Sequence, residues 1–293
     1  MDPIVVIGAG PAGLAAGLEL ARGGRPVLVL DQGDAPGGIS RTVRHKDIYF
    51  DLGGHRFFTR FPQVQRLWEE TLPPESFPSV RRLSRIHYRH RFFNYPIKPL
   101  NAFLNLGLRD TLTALISYMG AKVHPIEPEL DFEAWVSNNF GRFLFNVFFK
   151  TYTEKVWGIS CREISSEWAA QRIQRLSLFT ALLNAFLPRL HKGRIKTLID
   201  EFRYPSLGPG MMYQALAEKI RLAGGEVRLG ARAAGLRLEG RQVRAVRLAG
   251  VEEIPCSGLV STAPLTGLVG MLDGQAPPEV RDAAAQLRFR SFL

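Results

Sequence analysis

Three glycines near the start of the chain mark its first chemical feature. Gly8, Gly10 and Gly13 form a Gly-x-Gly-x-x-Gly pattern with Ala9, Pro11 and Ala12 between them. Gly8 permits a tight turn, Gly10 lets bare backbone approach a pyrophosphate, and Gly13 lets a helix pack closely on a strand. The free N–H groups and dipole of a helix starting at Pro11 attract phosphate. Asp31, followed by Gln32, is suited to accept hydrogen bonds from a ribose 2′-hydroxyl, which disfavours a 2′-phosphate at that position. The chemistry implied is binding of a dinucleotide.

Two further glycine-rich stretches narrow the choice. Gly37-Gly38-Ile39-Ser40-Arg41-Thr42 follows the acid. Gly38 and Ser40 can offer N–H and hydroxyl donors there, and Arg41 can neutralise phosphate. Asp51-Leu52-Gly53-Gly54-His55 gives a third such turn, where a flat ring can lie against bare backbone. Three glycine turns in succession favour FAD over NAD. His55 on its own reads equally as a structural histidine or as a group beside the ring.

These residues need elements to position them. Pro3 to Ile7 is a short apolar run of the kind buried on both faces of a parallel sheet. Leu14, Leu18 and Ala21 recur at helical spacing until Gly23-Gly24, and Pro26 to Leu30 reads as a second buried strand. Val64, Leu67, Trp68 and Leu72 form an apolar helical stripe. Phe132, Trp135, Val136 and Phe140 form another, with Asp131 as its N-cap and Gly141 closing it. Ser165 or Ser166 caps a helix carrying Arg172. After Gly208-Pro209-Gly210 a helix runs to Gly224-Gly225, three strands follow, and 258–264 reads as a strand returning to the nucleotide sheet.

The chain has 293 residues and a formal charge of +11, from 38 Lys and Arg against 27 Asp and Glu. Two distant cysteines exclude a structural zinc site or a disulfide framework and fit a reducing cytoplasm. No apolar stretch approaches the roughly 20 residues of a spanning helix, which leaves peripheral membrane contact open. Charge gathers at Arg81, Arg82, Arg85, Arg89 and Arg91. Read as one strand, this segment sets Ile86, Tyr88, His90 and Phe92 on one face and Arg85, His87, Arg89 and Arg91 on the other. A solvated face, a site attracting an anionic substrate, and acidic lipid headgroups remain open as its role. No nucleic-acid motif accompanies the charge, so nucleic acid is not an expected partner.

Taken together, the motifs resemble the superfamily of FAD-dependent amine oxidases, protoporphyrinogen oxidases and UDP-galactopyranose mutases. The Gly8–Gly13, Asp31 and Gly37–Thr42 stretches are common to that group. Gly53-Gly54-His55-Arg56-Phe57-Phe58-Thr59, the hairpin-like 88–96, Tyr152-Thr153-Glu154-Lys155-Val156-Trp157-Gly158, Arg172-Ile173, Tyr204-Pro205 and Gly208-Pro209-Gly210 are similar to the mutase branch. That likeness implies a reaction in which N5 of the reduced flavin acts on the anomeric carbon of a nucleotide-sugar without net redox. It also implies that Tyr152 and Trp157 face the sugar nucleotide, Arg172 binds diphosphate, Gly54-His55 lies near N5, and backbone near Ala233 contacts adenine. Without the resemblance, Tyr152 and Trp157 read as core aromatics. The long insert 176–189, with Lys192, Arg194 and Lys196 after it, differs from the mutase segment that closes over the nucleotide.

The expected fold is α/β: a Rossmann-like FAD-binding domain split in sequence, an inserted helical subdomain, and part of an antiparallel substrate-domain sheet. Its expected segments are 1–80 and 206–264 for FAD, 81–205 for the mainly helical cap with its basic hairpin, and 265–293 as the start of the substrate-domain sheet. The strand-like alternation of 287–293 stops without a turn, so the chain is expected to be the N-terminal part of a longer enzyme. Besides mutase-like chemistry, ordinary dehydrogenation with hydride transfer to FAD stays open, as does a non-catalytic dinucleotide-binding protein docking on a membrane or partner.

Overall fold

The computed structural model describes residues 1–95, 99–173 and 201–289. The chain divides into two compact units, Met1–Val80 with the segment from Glu201 onward, and the segment Arg81–Asp200 inserted between them. The fold is α/β, and the first unit holds a four-stranded parallel sheet.

In the first unit, strand β1 (Ile4–Ile7), helix α1 (Pro11–Arg22) and strand β2 (Val27–Leu30) form the parallel strand–helix–strand unit that the glycine pattern implies. β1 pairs in parallel with β2 (Ile4 opposite Val27) and with the Gly258–Ser261 strand (Ile4 opposite Gly258). The Glu226–Arg228 strand lies on the far side of β2. Both faces of this sheet are covered, which is why its strands lack polar alternation. On one face Val6, Val27 and Val29 pack with Leu14 and Leu18 of α1 and with Met212, Leu216 and Ile220 of the Gly210–Leu222 helix. On the other, Val5, Ile7, Leu28 and Leu30 meet Leu236, Val246 and Ile254 of an antiparallel sheet formed by Ala233–Glu239, Gln242–Leu248 and Glu253–Pro255.

The Pro62–Thr71 helix anchors the same core through Trp68, whose ring stacks on Phe57 (centroids 4.2 Å apart) and on Phe77 (5.1 Å), the two phenylalanines also touching each other at 5.3 Å. Residues 265–289 depart from the strand expectation. They form the helices Leu265–Met271 and Pro278–Gln286, then non-helical chain. Leu265, Leu268 and Leu272 fall at helical spacing, Pro264 and Pro277 are the N-caps, and Met271 is buried against the antiparallel sheet. Phe292 and Leu293, where a strand was expected to begin, lie outside the described residues, as does the 176–196 insert.

In the second unit, the helix Phe132–Phe140 packs Phe132, Val136 and Phe140 against Phe145, Cys161 and Ile164. Its start is fixed as the sequence predicts, with Asp131 accepting from the Ala134 N–H at 2.8 Å. Gly141 ends it at φ 84°. The basic segment is a hairpin, Ser84–Tyr88 against Arg91–Tyr95, turning at Arg89-His90 with φ of 45° and 61°. This two-residue turn shifts the alternation expected for one continuous strand. Ile86 pairs with Phe93 and His87 with Phe92, so Phe93 is the buried aromatic and Phe92 the exposed one. Phe93 meets the edge of Phe148, 5.1 Å away.

Candidate functional site

The glycine turn after β1 has the close contacts its spacing implies. Gly8 adopts φ 106°, and a side chain there would collide with the hydroxyl of Thr262. A Cβ on Gly13 would collide with the carbonyl oxygen of Gly8. Gly10 differs from both. It is the N-cap of α1 at φ −75°, and nothing lies within 4 Å of where its Cβ would stand. The first turn of α1, with Pro11 at its start, therefore presents unencumbered backbone to that side.

Asp31 lies one turn of chain away. One of its oxygens accepts from the Ala9 N–H at 2.7 Å and the other from the Gly33 N–H at 2.7 Å. A carboxylate has about four acceptor positions, so each oxygen keeps a lone pair for a ribose hydroxyl. Gln32, beside it, is exposed. The Asp31 carbonyl accepts from the Ala231 N–H and the Gly33 carbonyl from the Gly230 N–H, both at 2.8 Å, which brings the strand beginning at Ala233 next to the Asp31 loop.

The second glycine stretch folds back on the first. The Gly37 N–H donates to the Ala9 carbonyl at 2.8 Å, and the Cβ position of Gly38 is 3.3 Å from the Gly10 Cα. Arg41 donates to Asp34 at 3.1 Å, a solvent-exposed pair that exchanges easily. Ser40 is buried and faces the third stretch, its hydroxyl 3.4 Å from Nδ1 of His55. Nε2 of His55 stands 3.0 Å from the Leu52 carbonyl. A carbonyl only accepts, so Nε2 is the donor in that contact, while Nδ1 faces the Ser40 hydroxyl, which can donate or accept. Tyr213 completes the group by hydrogen bonding to Ser40, and burial pushes its phenol above the ordinary value. Gly53, at φ 108°, and Gly54 are exposed beside His55.

Sequence reasoning missed the supports behind this cradle. The Thr42 hydroxyl donates to Asp51 at 2.9 Å and accepts from the Gly210 N–H at 3.0 Å, clamping the Thr42–His45 and Ile48–Asp51 hairpin to the start of the Gly210–Leu222 helix. Gly208-Pro209-Gly210 was the available signal. Gly208 at φ 87° packs against Thr42 and Asp51 with no room for a side chain.

Tyr152, Trp157 and Arg172 belong to the second unit. Tyr152 and Trp157 lie on the helix Thr151–Trp157, which continues a π-helical stretch, Phe145–Lys150. Tyr152 is 71% exposed and Trp157 39%, so neither is a core aromatic. The core role falls to their neighbours. Thr153 is buried, Glu154 accepts from the Cys161 N–H at 3.3 Å, and Gly158 caps the helix at φ 68°. The Trp157 ring rests edge-on against Trp168, 5.1 Å away. Arg172 is the last residue of the Ser166–Arg172 helix, capped by Ser165, which accepts from the Glu167 N–H at 3.2 Å. Cys161 is no nucleophile, since burial and then the charges of Glu154 and Glu133 push its thiol up to about 11. Among the described residues no cluster suits a metal ion.

A profile for flavin containing amine oxidoreductases matches residues 11–293. The chain belongs to that family. Its cofactor is FAD, and the cradle of Gly10, Gly38 and Asp31 has the open backbone and free acceptors a dinucleotide requires. A probable UDP-galactopyranose mutase of Klebsiella pneumoniae is 30% identical over 167 residues, 55% of this chain and 42% of that protein. A probable flavin-containing monoamine oxidase A of Dictyostelium discoideum is 27% identical over 150 residues, 46% of this chain and 32% of that protein. The crystal structure of a reduced UDP-galactopyranose mutase superposes with a TM-score of 0.82 at 24% identity, covering 99% of this chain and 62% of that one. The chain thus spans less than two thirds of each of these relatives.

Proposed function

We propose that the chain supplies the FAD cradle and part of the substrate site of a mutase-like flavoenzyme acting on a nucleotide-sugar. The observation that carries this reading is the exposure of Tyr152 within the block Tyr152–Gly158. A tyrosine held on a short capped helix with its ring in solvent is poised to stack on a base or sugar, while Thr153 and Glu154 hold the helix. The identity with the Klebsiella pneumoniae protein, probably a UDP-galactopyranose mutase, supports the substrate class.

In this reading the α1 N-terminus and Gly38 bind the pyrophosphate, Asp31 orients the ribose, and Ser40, Arg41, Gly53 and Gly54 line the remainder. His55, its ring held by the Leu52 carbonyl and the Ser40 hydroxyl, stands beside the flavin ring. Tyr152 and Trp157 orient the sugar nucleotide, and Arg172 neutralises its diphosphate. The bound flavin supplies a nitrogen able to act as nucleophile when reduced, or to accept hydride when oxidised.

The likeness to a monoamine oxidase favours a second reading, oxidation of an amine. Incubating the purified protein, reduced and oxidised, with UDP-galactopyranose and with amines separates the two. Pyranose-to-furanose conversion that needs reduced flavin and consumes no oxidant supports the mutase reading. Oxidant uptake stoichiometric with an amine overturns it.

A further inference from the structure

The inserted unit holds most of the molecule's charge imbalance: its segment 81–200 contains 18 Lys and Arg against 9 Asp and Glu. The same unit carries an uncovered apolar stripe. The helix Pro99–Val123 breaks at Gly107, which leaves the helical conformation at φ 80° and ψ 171°. Beyond the break, Leu108, Leu112, Ile116, Met119 and Val123 follow at spacings of four, four, three and four, all at least half exposed. At 3.6 residues per turn these five side chains fall on one side of the helix. The buried Ala114 and the Asp110 that receives Arg89 at 3.1 Å fall on the other.

The basic hairpin packs on the part of this helix that precedes the break at Gly107. Asn105 donates to the Phe92 carbonyl at 3.4 Å, and Arg91 donates to the Asn105 carbonyl at 2.6 Å. The exposed Phe92 therefore sits beside the helical turn that carries Leu104, which is 65% exposed. Across the hairpin from Phe92 is His87, and on the same face lies Arg85. Leu83 and Arg81, just before the hairpin, are exposed as well. Neither Arg81 nor Arg85 has an acidic partner among the described residues. Cations interleaved with exposed Leu and Phe, in the same unit as an apolar helix face, match a bilayer whose headgroups are anionic and whose acyl boundary is close below. No helix among the described residues is long and apolar enough to cross a membrane.

We propose that this unit docks the protein onto an anionic lipid surface, with the stripe from Leu108 to Val123 entering the interface and Arg81 and Arg85 meeting headgroup phosphates. The proposal rests on this unit alone and is independent of the reaction assigned to the flavin.

The test is co-sedimentation of the protein with phosphatidylcholine vesicles, with and without phosphatidylglycerol. Binding is expected only with phosphatidylglycerol and is weakened by salt. Leu112→Glu with Ile116→Glu, and separately Arg81→Glu with Arg85→Glu, should each lower it by about tenfold or more, with flavin content and circular dichroism unchanged. Because Cys161 and Cys256 are buried, Ile116→Cys can be labelled selectively with an environment-sensitive fluorophore, whose emission should shift to the blue on anionic vesicles. That readout holds even if the glutamate pair at the stripe fails to fold. Wild-type protein that stays in the supernatant with anionic vesicles overturns the proposal, as does an unshifted label. So does a protein dimeric in solution that the Leu112/Ile116 variant turns monomeric without any vesicle binding, since a second copy would then cover the stripe.

Discussion

Replacing Gly10 by alanine separates cofactor binding from folding. The residue has φ −75° and ψ 179°, which alanine adopts freely, and its new methyl group meets no protein atom within 4 Å. Alanine is a poorer N-cap than glycine, by up to about 1 kcal/mol. Restricting the unfolded chain returns about 0.4–1 kcal/mol. These terms offset, so apoprotein stability should stay within about 1 kcal/mol of wild type. A phosphate approaching the α1 N-terminus, by contrast, meets the methyl and loses one or two charge-assisted hydrogen bonds. At about 1.5–3 kcal/mol each, this weakens FAD roughly a hundredfold. Gly13→Ala provides the contrast, because its methyl runs into the Gly8 carbonyl oxygen and backbone cannot yield cheaply. Urea unfolding of the apoproteins gives the stability arm, and titration with FAD followed by flavin fluorescence gives the binding arm. A Gly10→Ala protein that holds FAD like wild type would refute the placement of the pyrophosphate. One that unfolds as readily as Gly13→Ala would refute the claim of open space.

Three further outcomes are expected. Trp68→Ala, which removes one ring of the Phe57–Trp68–Phe77 cluster, should cost about 3–5 kcal/mol in chemical denaturation. Burial pushes the Glu133 carboxyl upward, but hydrogen bonds and charge from Arg162 and Arg142 outweigh it and hold the group below its ordinary value. A depressed carboxylate contributes stability that is present above its unfolded value, near 4.3, and is lost as pH falls through the folded one. Glu133→Gln should therefore be less stable than wild type at neutral pH, with the gap between their denaturation midpoints closing in acid. Tyr152→Ala, at an exposed position, should leave stability within about 0.5 kcal/mol yet, under the proposed mutase-like function, lower kcat/KM for the nucleotide-sugar about tenfold, the worth of one aromatic contact.

Much of the cradle was legible because its signals are local. A buried strand, a glycine turn, a helix N-terminus and an acid after the next strand are each specified by a few neighbouring residues. The cap at Asp131 and the stop at Gly141 were equally local. The hairpin was harder. Alternation carried through Arg89-His90 puts Phe92 on the face of Ile86 and Tyr88, whereas two residues at positive φ shift the register and put the buried Phe93 there. The stretch 265–289 looked like the approach to a sheet because strand-like alternation at its end was extended backwards. Burial of Met271 against the antiparallel sheet decided for helix.

The sequence by itself determined the cofactor class and the strand–helix–strand unit that carries the glycine turn, since backbone-dependent chemistry requires particular residues at fixed spacing. Only the tertiary structure decided which side chains were spent on packing and which were left free. Thr42, Asp51 and Tyr213 became supports of the cradle because segments far apart in sequence meet there, with Gly210 bonding to Thr42. Tyr152, which without the family resemblance reads as a core aromatic, stands in solvent, and the apolar stripe beyond Gly107 does the same. Hydrophobic periodicity reveals that a face is apolar, but what covers that face depends on the neighbours brought by the rest of the fold.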